Sequence, residues 1–295
     1  MCTCERRNTA SYRLMILLGC FHLIGLQLGG LETGVLAYQG AVFCTYPTFI
    51  YITGCFAMGS WCASALTSLI LGINRCCELG GANLAHWTFG EWRIWLWITT
   101  PIVYLLYLAT FTPPPIFNGV MMAWFFNPHF AYFDDFDGIV YHSRWHSINN
   151  IGICCTESLI YTLLIALYLR AMRSVSSEVR NASRRERKIY VQVLCVGFIH
   201  FTASSAYVVM QWIKVRFWTT LMASTMYFLS QGFPPVIYLI VNRTLRNALL
   251  RKLGLRKRVA PAVFSTAAVP TNKRAAGEQN GNRNYITSQT TITAE

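Results

Sequence analysis

The chain has 295 residues, of which 54% are hydrophobic, 14% aromatic and only 13% charged, about half the charged share of an ordinary soluble domain. That balance excludes a soluble globular protein of this size and places the chain among membrane proteins. The net charge of +13 requires no nucleic-acid partner, because basic residues collect beside membrane segments, where each attracts anionic membrane lipid by about 1 kcal/mol.

Runs free of Asp, Glu, Lys and Arg predict the spans. Residues 14–31 make the first. The run 33–74 is too long for one helix, and the stretch from Gly40 to Pro47 is expected to break it, leaving a span over 48–73. The run 94–133 ends as a helix near Phe111, since Pro113, Pro114 and Pro115 follow. Further spans are expected at 145–169, across the lone Glu157, at 189–213 and at 217–242. Each approaches or exceeds the about 20 residues that cross a hydrocarbon core of roughly 30 Å. The fold class expected is therefore an all-α membrane protein, a bundle of six spans.

Charge orients the bundle. The connection 170–188 holds Arg170, Arg173, Arg180, Arg184, Arg185, Arg187 and Lys188, and the segment after Asn242 is equally basic, so both face the cytoplasm. The connections 33–47, without Lys or Arg, and 112–147, with Arg144 against Asp134, Asp135 and Asp137, face outward. Only Lys214 and Arg216, in a short turn, dissent. Four regions follow: a cytoplasmic segment 1–13 with no signal-peptide pattern, a transmembrane bundle 14–242, a basic amphipathic helix 243–258 on the inner leaflet, and a polar, disordered cytoplasmic tail 259–295.

Chemistry-bearing residues are sparse. Of six histidines only His142 and His146 stand at helical ligand spacing, and the chain has no CxxC, nucleophile elbow or phosphate loop. No catalytic residue, metal or cofactor is expected. Cys76 and Cys77 read either as palmitoylation sites or as small apolar packing residues. Glu157, an acid within a span, suits an ion route in a transporter or channel, or a hydrogen bond to a neighbouring helix. The lack of a visible repeat counts against transport. Arg75, just past an uncharged span, is either an interface anchor or a guanidinium that holds helices together at the inner mouth.

The pieces FTPPPIFNGVMMAWFFNP at 111–128, YHSRWHSINN at 141–150, GINRCCEL at 72–79 and GFPPVIYLIVNRTLRN at 232–247 together resemble the nematode serpentine chemoreceptors, class T, over about residues 11–255. The resemblance implies a rhodopsin-like G-protein-coupled receptor in the plasma membrane of sensory cells. Such a receptor takes a small-molecule ligand and signals to a heterotrimeric G protein.

By that resemblance Arg75 is similar to the arginine of the Asp-Arg-Tyr motif, but Asn74 and Cys76 replace its neighbours, so the usual acid-to-arginine lock is expected to be missing. Pro235 and Tyr238 resemble the Asn-Pro-x-x-Tyr element, with Pro234 for the Asn, and the segment from Arg243 resembles the family's eighth helix. Asn74, Arg75, Pro235, Tyr238 and Arg243 are the expected switch and G-protein face. By depth, Tyr51, Glu157, Tyr207, Gln211, Trp212 and Met222 are expected to line a ligand site under a lid of Trp124, Phe125, Phe126 and His129.

The likeness starts at SYRLMILLG, similar to the beginning of the family's second helix. The chain is thus expected to lack the first helix, unless the run 33–74 conceals another span. A bundle short of one helix exposes small and polar residues to lipid, which predicts retention in the endoplasmic reticulum.

Overall fold

The computed structural model describes residues 2–132, 141, 143–173, 180–210 and 216–241, together with 246, 247, 250, 254 and 255. Helix α1 (Cys2–Leu26) runs through a π-helical turn (Gln27–Glu32) into α2 (Thr33–Tyr38), so Ala10–Tyr38 is one apolar span. It overruns the expected end at residue 31 because Glu32 is satisfied from a distance: the Thr53 hydroxyl donates to its Oε2 at 3.1 Å.

Three glycines decide where α1 packs. A Cβ at Gly30 would stand 2.6 Å from Phe228, one at Gly25 2.7 Å from Gln231, and one at Gly29 would overlap Tyr227. All three neighbours belong to α8 (Phe217–Val241), so the absence of side chains at Gly25 of α1 and at Gly29 and Gly30 of the π-helical turn is what lets the first span approach α8.

Helix α3 (Pro47–Gly80) is the axis of the bundle. It opens with proline in the first turn, where the missing N–H has no partner to lose. It packs against α1, α5 (Arg93–Phe111), α6 (Arg144–Arg173) and α7 (Arg180–Met210). Its buried hydroxyls cost little, since Ser64 bonds the Trp61 carbonyl and Thr67 the Ala63 carbonyl within the helix. The helix passes the expected end at Ile73, because Asn74 and Arg75 find partners inside the protein.

Short α4 (Ala82–Phe89) follows Gly81, whose φ of 140° only glycine adopts freely, and rests on α5 through Trp97 Nε1 donating to the Thr88 carbonyl at 3.0 Å. Helix α5 ends at Phe111 before the prolines, as its sequence predicts. Next comes a hairpin that the sequence reading did not include, β1 (Ile116–Asn118) antiparallel to β2 (Ala123–Phe125), with Phe117 opposite Trp124.

Among the described residues five helices are long and apolar enough to cross a membrane, and α8, uncharged over 25 residues, is a sixth long helix. The chain is a helical, multi-pass membrane protein. No further span lies within 33–74, since 33–38 continues the first helix and 47–80 is a single one. The predicted inner-leaflet helix 243–258 falls mostly outside the described residues, and the tail 259–295 wholly so.

The contact between α6 and α7 offers a stability test. Gly197 leaves room for the Tyr161 ring, which a Cβ there would penetrate, and the Tyr161 hydroxyl lies 3.1 Å from Ser68 Oγ. Gly197→Val is expected to destabilise the protein by about 1–3 kcal/mol through overpacking. The check is the unfolding temperature in detergent; an unchanged value would remove Gly197 from the account.

Candidate functional site

Between the hairpin and one end of the bundle lies a cavity of about 270 Å³. Trp61 of α3, Tyr207 of α7 and Tyr227 of α8 form its floor, and Trp124, Phe125 and Phe126 close it from the hairpin side. The Trp61 ring stands 5.9 Å from Tyr207 and 5.4 Å from Tyr227, within the range of aromatic contact. Trp124 Nε1 donates to Thr33 Oγ1 at 2.8 Å, which ties the lid to α2. His146 enters from α6, its ring 5.1 Å from Phe126 and 5.7 Å from Tyr207. None of the lining residues is Asp, Glu, Lys or Arg.

A directed hydrogen-bond chain runs beneath this floor. An indole N–H only donates, so Trp61 Nε1 fixes Asn150 Oδ1 as its acceptor, at 3.0 Å. Asn150 Nδ2 must then donate to His146 Nε2, also at 3.0 Å, which makes His146 a neutral ring with its proton on Nδ1. Asn149 Nδ2 adds a second bond to Asn150 Oδ1 at 3.3 Å, and Tyr104 donates to Asn149 Oδ1 at 3.2 Å. Asn150 is thus a hub joining α3, α5 and α6. Deeper still, His22 Nδ1 donates to Gln231 Oε1 at 2.8 Å, with the His200 ring 5.3 Å from that of His22.

At the other end of α3, Arg75 is buried and its Nη1 donates to Glu78 Oε2 at 2.6 Å, one turn on along the same helix. The Ser11 hydroxyl of α1 lies between Glu78 Oε1, at 2.8 Å, and Asn74 Oδ1. Asn74 brings no acid, so an Asp-to-Arg pair at that position is absent, and Glu78 in the following turn supplies the guanidinium's partner instead.

The family model described as the serpentine type 7TM GPCR chemoreceptor Srt matches residues 1–261. The chain belongs to that family. A curated relative, serpentine receptor class T-55 of Caenorhabditis elegans, is 25% identical over 243 residues, which cover 82% of this chain. The chain spans 65% of that relative's length. Both are receptors by description.

Within this serpentine fold the expected ligand-site residues divide. Trp124, Phe125, Phe126 and Tyr207 line the cavity together. Tyr51 and Met222 do not, being 49% and 64% exposed on the outside of the bundle. His129 is also exposed, its ring 5.7 Å from Tyr141. Glu157 is wholly buried but lies away from the cavity, and neither carboxylate oxygen has a hydrogen-bond partner among the described residues. It sits on α6 between Cys154, 3.5 Å from Ser205, and Tyr161, which faces Gly197, so its level on α7 is that of His200 and Ser204. Gln211, Trp212 and Arg243 fall outside the described residues.

Of the expected switch elements, Pro234 and Pro235 lie inside α8, and neither has an N–H to give, so the carbonyls of Ser230 and Gln231 lose their usual donors. Gln231 is the residue that holds His22, which puts the weakened turn beside the α1 contact. Tyr238 follows in the same helix, its side chain outside the described residues. Sequence reasoning missed His22, Trp61, Asn149, Asn150 and His200. The signal for them was available, since polar side chains inside spans mark functional layers.

Proposed function

We propose that the chain is a chemosensory G-protein-coupled receptor of the plasma membrane, which binds a small molecule in the cavity under the hairpin and signals to a heterotrimeric G protein at the opposite end. One observation carries this reading. Helix α3 bears the cavity floor at Trp61 and the buried Arg75–Glu78 pair 14 residues later, about 21 Å along the helix. A continuous helix with no exposed residue from Trp61 to Arg75, an uncharged cavity at one end of that stretch and a breakable ion pair at the other can couple the two. A ligand that prefers the arrangement with the pair open shifts the population toward it by its difference in affinity. Basic residues over 170–188 support a cytoplasmic Arg75 end by the positive-inside rule, and membership of a chemoreceptor family supports the sensory role.

The test is nucleotide exchange on co-expressed Gα subunits in membranes that carry the chain, screened with small neutral molecules. A stimulated response that is lost both in Arg75→Ala and in a variant with the cavity filled, Ala57→Trp, is the expected result. If the chain reaches the surface and no Gα type exchanges above the vector background, basally or with any compound, the receptor reading falls.

A further inference from the structure

The cavity's own chemistry narrows its occupant. This step rests on the proposal that the cavity is the ligand site. A charged guest would leave water for a space with no residue of formal charge in its lining, and a buried ion without a partner is strongly disfavoured. His146 supplies no cation, because its Nε2 accepts from Asn150 and the ring is neutral.

Among the lining hydroxyls, those of Thr220 and Tyr227 are buried without a hydrogen-bond partner among the described residues. Thr220, at the start of α8, is 3% exposed, and its hydroxyl has no hydrogen-bond partner among the described residues. A helical threonine ordinarily turns its hydroxyl to the carbonyl one turn back. Here that carbonyl, of Arg216, already accepts from Thr219 Oγ1 at 2.8 Å and from the Thr220 amide at 3.0 Å, which uses both of its lone pairs. The Thr220 hydroxyl is therefore a donor without a partner among the described residues, in the wall of a mostly apolar cavity. The cavity volume of about 270 Å³ lies at the lower end for ligand sites, so the guest is small.

We infer that the ligand is a small, neutral, mostly apolar molecule with one hydrogen-bond acceptor oxygen, a ketone, ester or ether type, which the Thr220 hydroxyl engages while Trp61, Trp124 and Tyr207 enclose the apolar part. Acids and amines of the same shape are rejected for want of a counter-charge.

The experiment uses the full chain in phosphatidylcholine nanodiscs and reads quenching of tryptophan fluorescence, since two tryptophans line the cavity. The probes are 2-acetylnaphthalene, 2-ethylnaphthalene, which keeps the shape without the oxygen, and the anion 2-naphthoate. Ala223→Phe, which fills the cavity, corrects for partition into lipid. The expected result is saturable quenching by 2-acetylnaphthalene that Ala223→Phe removes, with 2-naphthoate at least about tenfold weaker. Thr220→Val is expected to weaken the ketone about tenfold and to leave 2-ethylnaphthalene unchanged, which also shows that the variant is folded. If the anion binds as tightly as the ketone, or Thr220→Val moves ketone and hydrocarbon alike, the ligand class is wrong while cavity-dependent binding still upholds the site. If no probe distinguishes the native chain from Ala223→Phe, both the class and the site are overturned.

Discussion

Glu78→Gln is expected to raise ligand-independent G-protein activation about tenfold or more at matched surface expression. The carboxylate is the ion-pair partner of a guanidinium that is 6% exposed and whose Nε already lacks a hydrogen bond among the described residues. Removing one charge of such a pair leaves the other buried without compensation, and that is costlier than the pair itself was worth. Hydrogen bonds to charged groups contribute about 1.5–3 kcal/mol, and each 1.4 kcal/mol is a factor of ten, so the closed arrangement loses roughly ten- to a hundredfold of its advantage. Partial solvent access at this rim argues for the lower figure. Ser11→Ala should act in the same direction but less, because it removes only the tie from α1 to Glu78 and Asn74. Arg75→Ala opens the same pair but also removes the cation that the open arrangement offers to the G protein, so its ligand-stimulated response should be lost. Basal exchange in membranes carrying each variant is the measurement, and a normal basal rate in Glu78→Gln would mean that the pair is only packing.

The positions of the spans were legible in the sequence because an unpaired charge in hydrocarbon is so expensive that gaps in charge trace the membrane directly. The ends were less so, for one physical reason. Glu32 and Arg75 looked like stops, yet each is satisfied within the protein, Glu32 by Thr53 and Arg75 by Glu78, and a helix continues past a charge that has a partner. Such compensation joins residues that a linear reading treats as unrelated. The hairpin escaped notice because its strands have three residues each, too few to show alternation, although Asn118-Gly119 at the end of the first strand is a turn signal.

Depth along a helix was readable and facing was not. Tyr51 and Met222 lie on helices whose small hydroxyl-bearing residues give only a faint polar face, too weak to reveal which side meets lipid. Trp124, Phe125 and Tyr207 line one cavity because the hairpin and the end of α7 near Met210 converge on it. The buried histidines were weighed only as metal ligands, a role their spacing does not fit. What they do instead is hydrogen-bond across helices, a role that depends on partners such as Gln231 of α8 for His22, far off in the chain.

That polar layer is where the second large effect is expected. Asn150→Leu keeps roughly the volume but strips the hub of the chain beneath the cavity, so Trp61 Nε1 and Asn149 Nδ2 lose their acceptor and His146 Nε2 loses its donor. Hydrogen bonds between membrane helices average about 0.6 kcal/mol and reach about 1.7, less than burial alone suggests, because a helix separated in the membrane finds other partners. Three such losses at one fully buried residue sum to roughly 2–5 kcal/mol, a large part of the stability of an ordinary domain. The unfolding temperature of the purified protein should fall accordingly. A double-mutant cycle separates the bond from the packing: in a Trp61→Phe background the indole donor is already gone, so Asn150→Leu should cost less by about the energy of that bond. Costs that simply add would show that Trp61 and Asn150 are neighbours without coupling, and the directed chain would then hold neither the cavity floor nor the neutral state of His146 in place.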